Sequence, residues 1–185
     1  MAEAPTKLPP DEFARVVRGT QLVSVDVLLF DNEGRLLLGK RTHEPAKDTW
    51  FTPGGRVYKN EDLNAAVQRI ISNEVAPPSV TARPRYTLHG VYRHLYDTNF
   101  SPAPYAFGTD YINFAYVLHT AEHYSAADGT LQCIEGLTHT FGQNDPHGQQ
   151  HTAFRWFAVE DLLIDPEVHD YVKCYFHPAA YNRVA

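Results

Sequence analysis

One segment between a proline–glycine–glycine turn and a proline pair restricts the fold more than any other. From Leu63 to Val75 the apolar residues follow helical spacing, and Leu63, Ala66, Val67, Ile70, Ile71 and Glu74 fall on or beside one stripe. Pro77 and Pro78 end the helix, because proline cannot supply the amide that the helical ladder needs. Ahead of it stand Pro53, Gly54, Gly55 and Arg56, where paired glycines permit backbone shapes that turn carbonyls toward a ligand. A helix with such a stripe must bury it against another layer. Glu74 on that stripe is costly unless it is paired or bound to metal. Taken alone, the same residue also reads as a helix-end acid leaning into solvent.

The rest of the chain supplies the layer. Gln21 to Phe30 reads as a strand, nearly continuous in apolar residues apart from Ser24 and Asp26. Asp31 to Gly34 is a turn and Arg35 to Lys40 a returning strand, which makes a hairpin. Tyr86 to Tyr96, Tyr111 to Leu118 and Phe154 to Ala158 are further strands. Asp11 caps a short first helix with Phe13, Val16 and Val17 on one face, closed by Gly19. Val159 to Leu163 and Glu167 to Phe176 read as closing helices. Several strands with few helices predict an α+β fold with a mixed sheet, one domain over residues 1–185. Ser101 to Gly108 and Ser125 to Gln149 fit no element, and long loops of this kind are more often functional than mere spacers.

Charge and composition exclude some partners. A net charge of −6 argues against a nucleic-acid polymer, whose binding draws on clustered Lys and Arg. It leaves a small anionic substrate open, since a few placed cations and a metal suffice for a diphosphate. No apolar run approaches the ~20 residues needed to cross a bilayer. Met1 to Pro10 has no apolar core and reads as no secretory signal. Cys133 and Cys174 match no metal or redox spacing, so free thiols and the cytoplasm are expected. Of the 10 histidines, His139, His147 and His151 share one polar region, but their spacing fits no standard metal site.

The order Gly55, five residues, Glu61, seven residues, Arg69, one residue, Ile71, then Glu74 resembles the signature box of the Nudix hydrolases. The full box carries acids at the positions of Ile70 and Asn73 and glycine at that of Ala76, so this box is reduced. Glu61 cannot replace the missing acids, because a helix of that length separates it from Glu74 by ~20 Å. By resemblance it pairs with Arg69 and braces the loop. The flanks Leu22 to Asp26, Leu38 to Thr42, Trp50 to Val57, His94 to Phe100, Gln150-His151 and Phe154 to Trp156 are similar to the GDP-mannose mannosyl hydrolases. That subfamily also has the reduced box. The resemblance implies an α/β/α sandwich with a loop–helix–loop motif, and a homodimer in which residues 1–20 are a plausible contact.

It also implies a chemistry. Water attacks the anomeric carbon of a GDP-sugar, GDP-mannose or GDP-glucose, and GDP leaves with inversion at the sugar. Mg²⁺, with Mn²⁺ as a substitute, is held by the Gly55 carbonyl, Glu74 and the Gln150 side chain, and one carboxylate plus substrate phosphates is enough for such an ion. Arg41 and Arg56 bind phosphate oxygens through charge-assisted bonds. Asp26 and Tyr111 support the leaving group or sugar, and His94 lines the pocket. His151 acts as general base. Two other functions stay open from the residues alone. One is a pyrophosphohydrolase that cleaves between the phosphates, the other a non-catalytic sensor of nucleotide ligands.

Overall fold

The computed structural model describes residues 8–31, 33–75, 86–100, 107–119 and 150–177. Pro77, Pro78, Cys133, His139, His147, the loop 125–149 and most of 101–108 lie outside them. Seven strands form one sheet: β1 (Leu22–Phe30), β2 (Leu36–Arg41), β3 (Trp50–Phe51), β4 (Gly54–Arg56), β5 (Tyr86–Tyr96), β6 (Thr109–His119) and β7 (His151–Phe157). The order is β3-β2-β1-β6-β5, with β4 also paired to β1 and β7 to β2. Strands β1 and β6 run parallel and the other pairs antiparallel, so the sheet is mixed as expected. Among the described residues the helices are α1 (Pro10–Gly19), α2 (Leu63–Ile70), α3 (Val159–Ile164) and α4 (Asp170–Cys174).

Strand β1 is buried on both faces, which explains its nearly unbroken apolar run. Val25, Val27 and Leu29 join Ala66, Val67, Ile70 and Ile71 of the α2 stripe in one core. Leu28 points the other way, into a second core with Leu162 of α3 and Val172 of α4. Helices thus cover both faces, and Asp26 shares the face of Leu28. Burying Val67, Ile70 and Ile71 stabilises the α2 side by about 1.5–3 kcal/mol for each side chain.

Helix α2 does not end at Ile70 but widens into a π-helical turn, Ile71–Val75. Such turns are rare and often sit at functional sites. This one contains Glu74, which is buried. Other details differ from the sequence reading. Pro9 takes the cap position of α1 and Asp11 falls in its first turn, because a proline at N1 gives up an amide that has no helical partner anyway. Strand β7 starts at His151 instead of Phe154, held by the pairing of His151 with Arg41 across a bulge in β2. Helix α4 is shorter than expected, since Val168 is drawn into a bridge with Trp50 and His169 caps the helix.

The start of α2 is fastened twice. Asp62 caps it by accepting from the Ala65 amide at 2.8 Å. Arg69 then grips Glu61 through Nε at 2.6 Å and Nη2 at 2.8 Å, and its Nη2 also donates to the Arg56 carbonyl at 2.9 Å. Burial alone would push the Glu61 carboxyl up, but the Arg69 bonds and the Tyr58 amide hold it below the ordinary value. The Glu61 side chain is only 4% exposed, so removing its partner strands a buried charge. Arg69→Leu is expected to cost about 3 kcal/mol in urea unfolding. Adding Glu61→Gln should restore part of that loss.

Candidate active site

The site is built where β4 lies against β1. Asp26 pairs with Gly54, and a Cβ on Gly54 would sit 2.2 Å from Asp26 Oδ1. Gly54 is therefore required for close approach; its backbone is not left-handed. The Gly54 amide donates to Glu74 Oε2 at 3.1 Å, which ties the π turn to the same loop. Asp26, Arg41, Gly55 and Arg56 line a pocket of about 210 Å³ together with His94, Tyr111 and Gln150. Seven of the expected site residues therefore meet in one cleft. Glu74 lies behind the loop, one hydrogen bond from Gly54.

Asp26 carries the clearest electrostatic signature. Burial raises its pKa from 3.8 to about 6, against the pull of the Tyr175 hydrogen bond, the neighbouring Asn113 amide and the charge of Arg41. Tyr175 donates to Asp26 Oδ2 at 2.5 Å, and Asn113 donates to Ser24 Oγ at 2.9 Å beside it. Burial and His169 lower the His94 pKa from 6.5 to about 3, so this imidazole is neutral. It stacks on Tyr171 with centroids 4.3 Å apart. Burial also raises the Tyr111 phenol, which stays a proton donor at neutral pH.

The two arginines are held differently. Arg41 Nε donates to the Pro45 carbonyl at 2.9 Å, and its guanidinium lies 5.8 Å from the Phe51 ring. Arg56 is clamped between Phe13 at 4.1 Å and Tyr58 at 4.7 Å, and burial lowers its pKa. Phe13 of α1 also lines the pocket, so the first helix forms part of its wall. The Gln150 carbonyl accepts from the Thr42 amide at 2.9 Å, which fixes the backbone at the entry to β7.

His151 behaves otherwise. It begins a strand instead of lying in a loop, and it is not among the pocket-lining residues. Its ring covers Gly39, where a Cβ would come within 2.4 Å of Cδ2, and packs on Phe154. Burial and Arg41 lower its pKa to about 3. Its Nε2 is buried and has no hydrogen-bond partner among the described residues.

The three groups that the resemblance implies for a metal, the Glu74 carboxylate, the Gly55 carbonyl and the Gln150 amide, are all oxygen donors, a set that suits a hard divalent cation. Among the described residues, no three His, Cys, Asp or Glu side chains converge. Among them also, no helix is long and apolar enough to cross a membrane. Tyr175, Asn113, Tyr96 and Phe13 escaped the sequence reading. The three aromatics look like core or exposed rings in a linear pattern and Asn113 like an ordinary polar strand residue, and only the fold brings them to Asp26 or the pocket.

The NUDIX domain profile matches residues 20–177. The chain belongs to the Nudix hydrolase family. Members act on small molecules, in keeping with a pocket of this size. Over 94 residues the domain is 44% identical to the low-salt glycan biosynthesis protein Agl8 of Haloferax volcanii, an alignment covering 51% of this chain and 57% of that protein. The MutT Nudix hydrolase of Burkholderia pseudomallei shares the fold with TM-score 0.54 and 22% identity, over 86% of this chain and 99% of its own. The Nudix domain of Shewanella oneidensis NrtR, seen with ADP ribose, does so with TM-score 0.53 and 17% identity, over 91% of this chain and 90% of its own.

The buried groups give the Nudix domain opposed pH dependences. The raised Asp26 pKa contributes stability that is full below 3.8 and lost as pH rises through about 6. The lowered His94 and His151 pKa values contribute stability that is full above 6.5 and lost as pH falls toward about 3. Asp26→Asn removes the first contribution alone. Urea unfolding is expected to show the variant more stable than the parent at pH 7, by about 3 kcal/mol at most, with the two converging near pH 4.

Proposed function

We propose that this Nudix domain hydrolyses a GDP-sugar at the anomeric carbon–oxygen bond, with Mg²⁺ or Mn²⁺, releasing GDP and the free hexose with inversion. GDP-mannose and GDP-glucose are the first substrates to try. The observation that carries the reading is the reduced acid set around Glu74. Ile70, where the full box has an acid, is 1% exposed and belongs to the α2 core. The site thus holds one boxed carboxylate beside two pocket arginines. That arrangement suits the departure of a diphosphate better than the activation of water at phosphorus. Similarity to a glycan biosynthesis protein supports a nucleotide sugar.

When bound, the metal would neutralise diphosphate charge and so improve GDP as a leaving group. Arg41 and Arg56 would take the phosphate oxygens, and the Phe13–Tyr58 clamp orders Arg56 before the ligand arrives. Tyr111 would donate a hydrogen bond from its phenol, which keeps its proton, to the departing oxygen or the sugar. His151 would accept the proton of the attacking water at Nε2, the nitrogen with no hydrogen-bond partner among the described residues. A neutral imidazole is the form a base requires. A diphosphate on Arg41 would offset one of the two causes that lower the His151 pKa.

The packing of His151 over Gly39, outside the pocket lining, favours a second reading, attack at phosphorus. Hydrolysis in ¹⁸O-water separates the two. Label is expected in the hexose, and label in GMP or in sugar phosphate would overturn the proposal. His151→Gln should lower kcat by about 10²–10⁴ while GDP still binds. An unchanged kcat would place the base elsewhere. Glu74→Gln should raise the Mg²⁺ concentration needed for half activity more than it lowers Tm.

A further inference from the structure

We propose that Tyr175 is a positioning residue of the site, which holds one oxygen of the Asp26 carboxylate so that the other faces the pocket over Gly54. The inference rests on the functional reading above, in which Asp26 supports the reaction. Its geometry stands independently.

Tyr175 follows α4 and reaches Asp26 from 149 residues away in the sequence. Its ring is packed against Tyr92 with centroids 4.8 Å apart, and its carbonyl is bonded to His89 Nε2 at 2.8 Å. One helical turn earlier, Tyr171 stacks on His94 and its hydroxyl bridges the Leu95 amide and carbonyl. The phenol is therefore fixed at ring, backbone and neighbouring turn before it meets the carboxylate. A wholly buried hydroxyl is costly without a partner, so this position has a use for tyrosine that phenylalanine could not meet. The OH donates to Oδ2, and His94 Nε2 and Asn113 Oδ1 each lie 3.4 Å from it. Oδ1 is left against Gly54. Without the phenol the carboxylate can rotate, and either oxygen can face the ligand. The closing helices of the fold thus set the orientation of a group on the first strand.

The test is a double-mutant cycle with Tyr175→Phe and Asp26→Ala in the full chain. Tyr175→Phe keeps the ring packing and is expected to lower kcat about ten- to a hundredfold with KM changed less than about threefold. In the Asp26→Ala background the same change should cost nothing further in kcat. Tyr175→Leu, which removes the ring, controls for packing. A harmless Tyr175→Phe beside a damaging Tyr175→Leu would assign the residue to packing and overturn the proposal, as would losses that multiply across the cycle. Should no GDP-sugar turn over, the functional reading falls while the coupling is still read from the urea midpoints of the same four proteins. Non-additive midpoints then support the Tyr175–Asp26 link, and additive ones overturn it.

Discussion

The contact on which the site depends is that of Gly54 with Asp26. A strand of three residues, β4, is held to β1 so closely that no side chain fits between them. Flanking bonds extend the contact, from the Val27 amide to the Pro53 carbonyl at 2.9 Å and from the Val57 amide to the Val23 carbonyl at 2.8 Å. With the loop fixed this way, the Gly54 amide donates to Glu74, and the Arg56 carbonyl accepts from Arg69. An alanine at position 54 would push the loop off β1 and disturb Asp26, Glu74 and Arg56 together. Conformational freedom is thus a minor reason for the glycine; lack of a Cβ is the main one.

Burial moves the pocket acid Asp26, the pocket imidazole of His94 and the imidazoles of His151 and His169 away from their ordinary pKa values. Arg41 acts on both kinds of group. Its charge favours the carboxylate of Asp26 and opposes protonation of His151 and His169. Burial acts on both as well, but in opposite directions of charge. It drives Asp26 toward the neutral acid and the histidines toward the neutral base. The result is a cleft in which Asp26, mostly ionised at pH 7 with a pKa of about 6, faces the cations Arg41 and Arg56 while the imidazoles stay neutral. The opposed pH slopes follow from the same arrangement. Asp26 is maintained at a cost to stability near neutral pH, as functional groups often are.

How much of this was legible beforehand depends on the range of the interaction. The α2 stripe, the β1–β2 hairpin and the edges of β5 could be read directly, because burial on one face leaves a period in the sequence. The pocket residues Arg41, Arg56, Tyr111 and Gln150 came from resemblance, and the fold assembles them. β3 and β4 were missed because two or three residues are too few to show alternation. The start of β7 was missed because His151-Thr152-Ala153 has no apolar rhythm until it pairs with β2. Tyr175 could not be found at all. Its partner is supplied by a strand at the opposite end of the chain, and nothing local separates it from a core tyrosine.

The reduced box is itself a consequence of packing. Ile70 sits beneath the loop against the sheet core, and its side chain is among those closing the α2 face. An acid there would share a core with Val25, Val67 and Leu37 and, unless a cation met it, would cost several kcal/mol. The full complement of boxed acids therefore requires a different core under the loop as well as different side chains in the site. In this chain that core is apolar, and the widened turn after Ile70 brings one carboxylate, Glu74, to the loop. For the proposed GDP-sugar, the burden of matching the diphosphate would fall on the cations across the pocket. Arg41 leaves the β2 strand beside β7, and Arg56 leaves β4 clamped between two rings. In the proposed reaction, a site weighted in this way would stabilise a departing negative charge more readily than it would activate an arriving nucleophile.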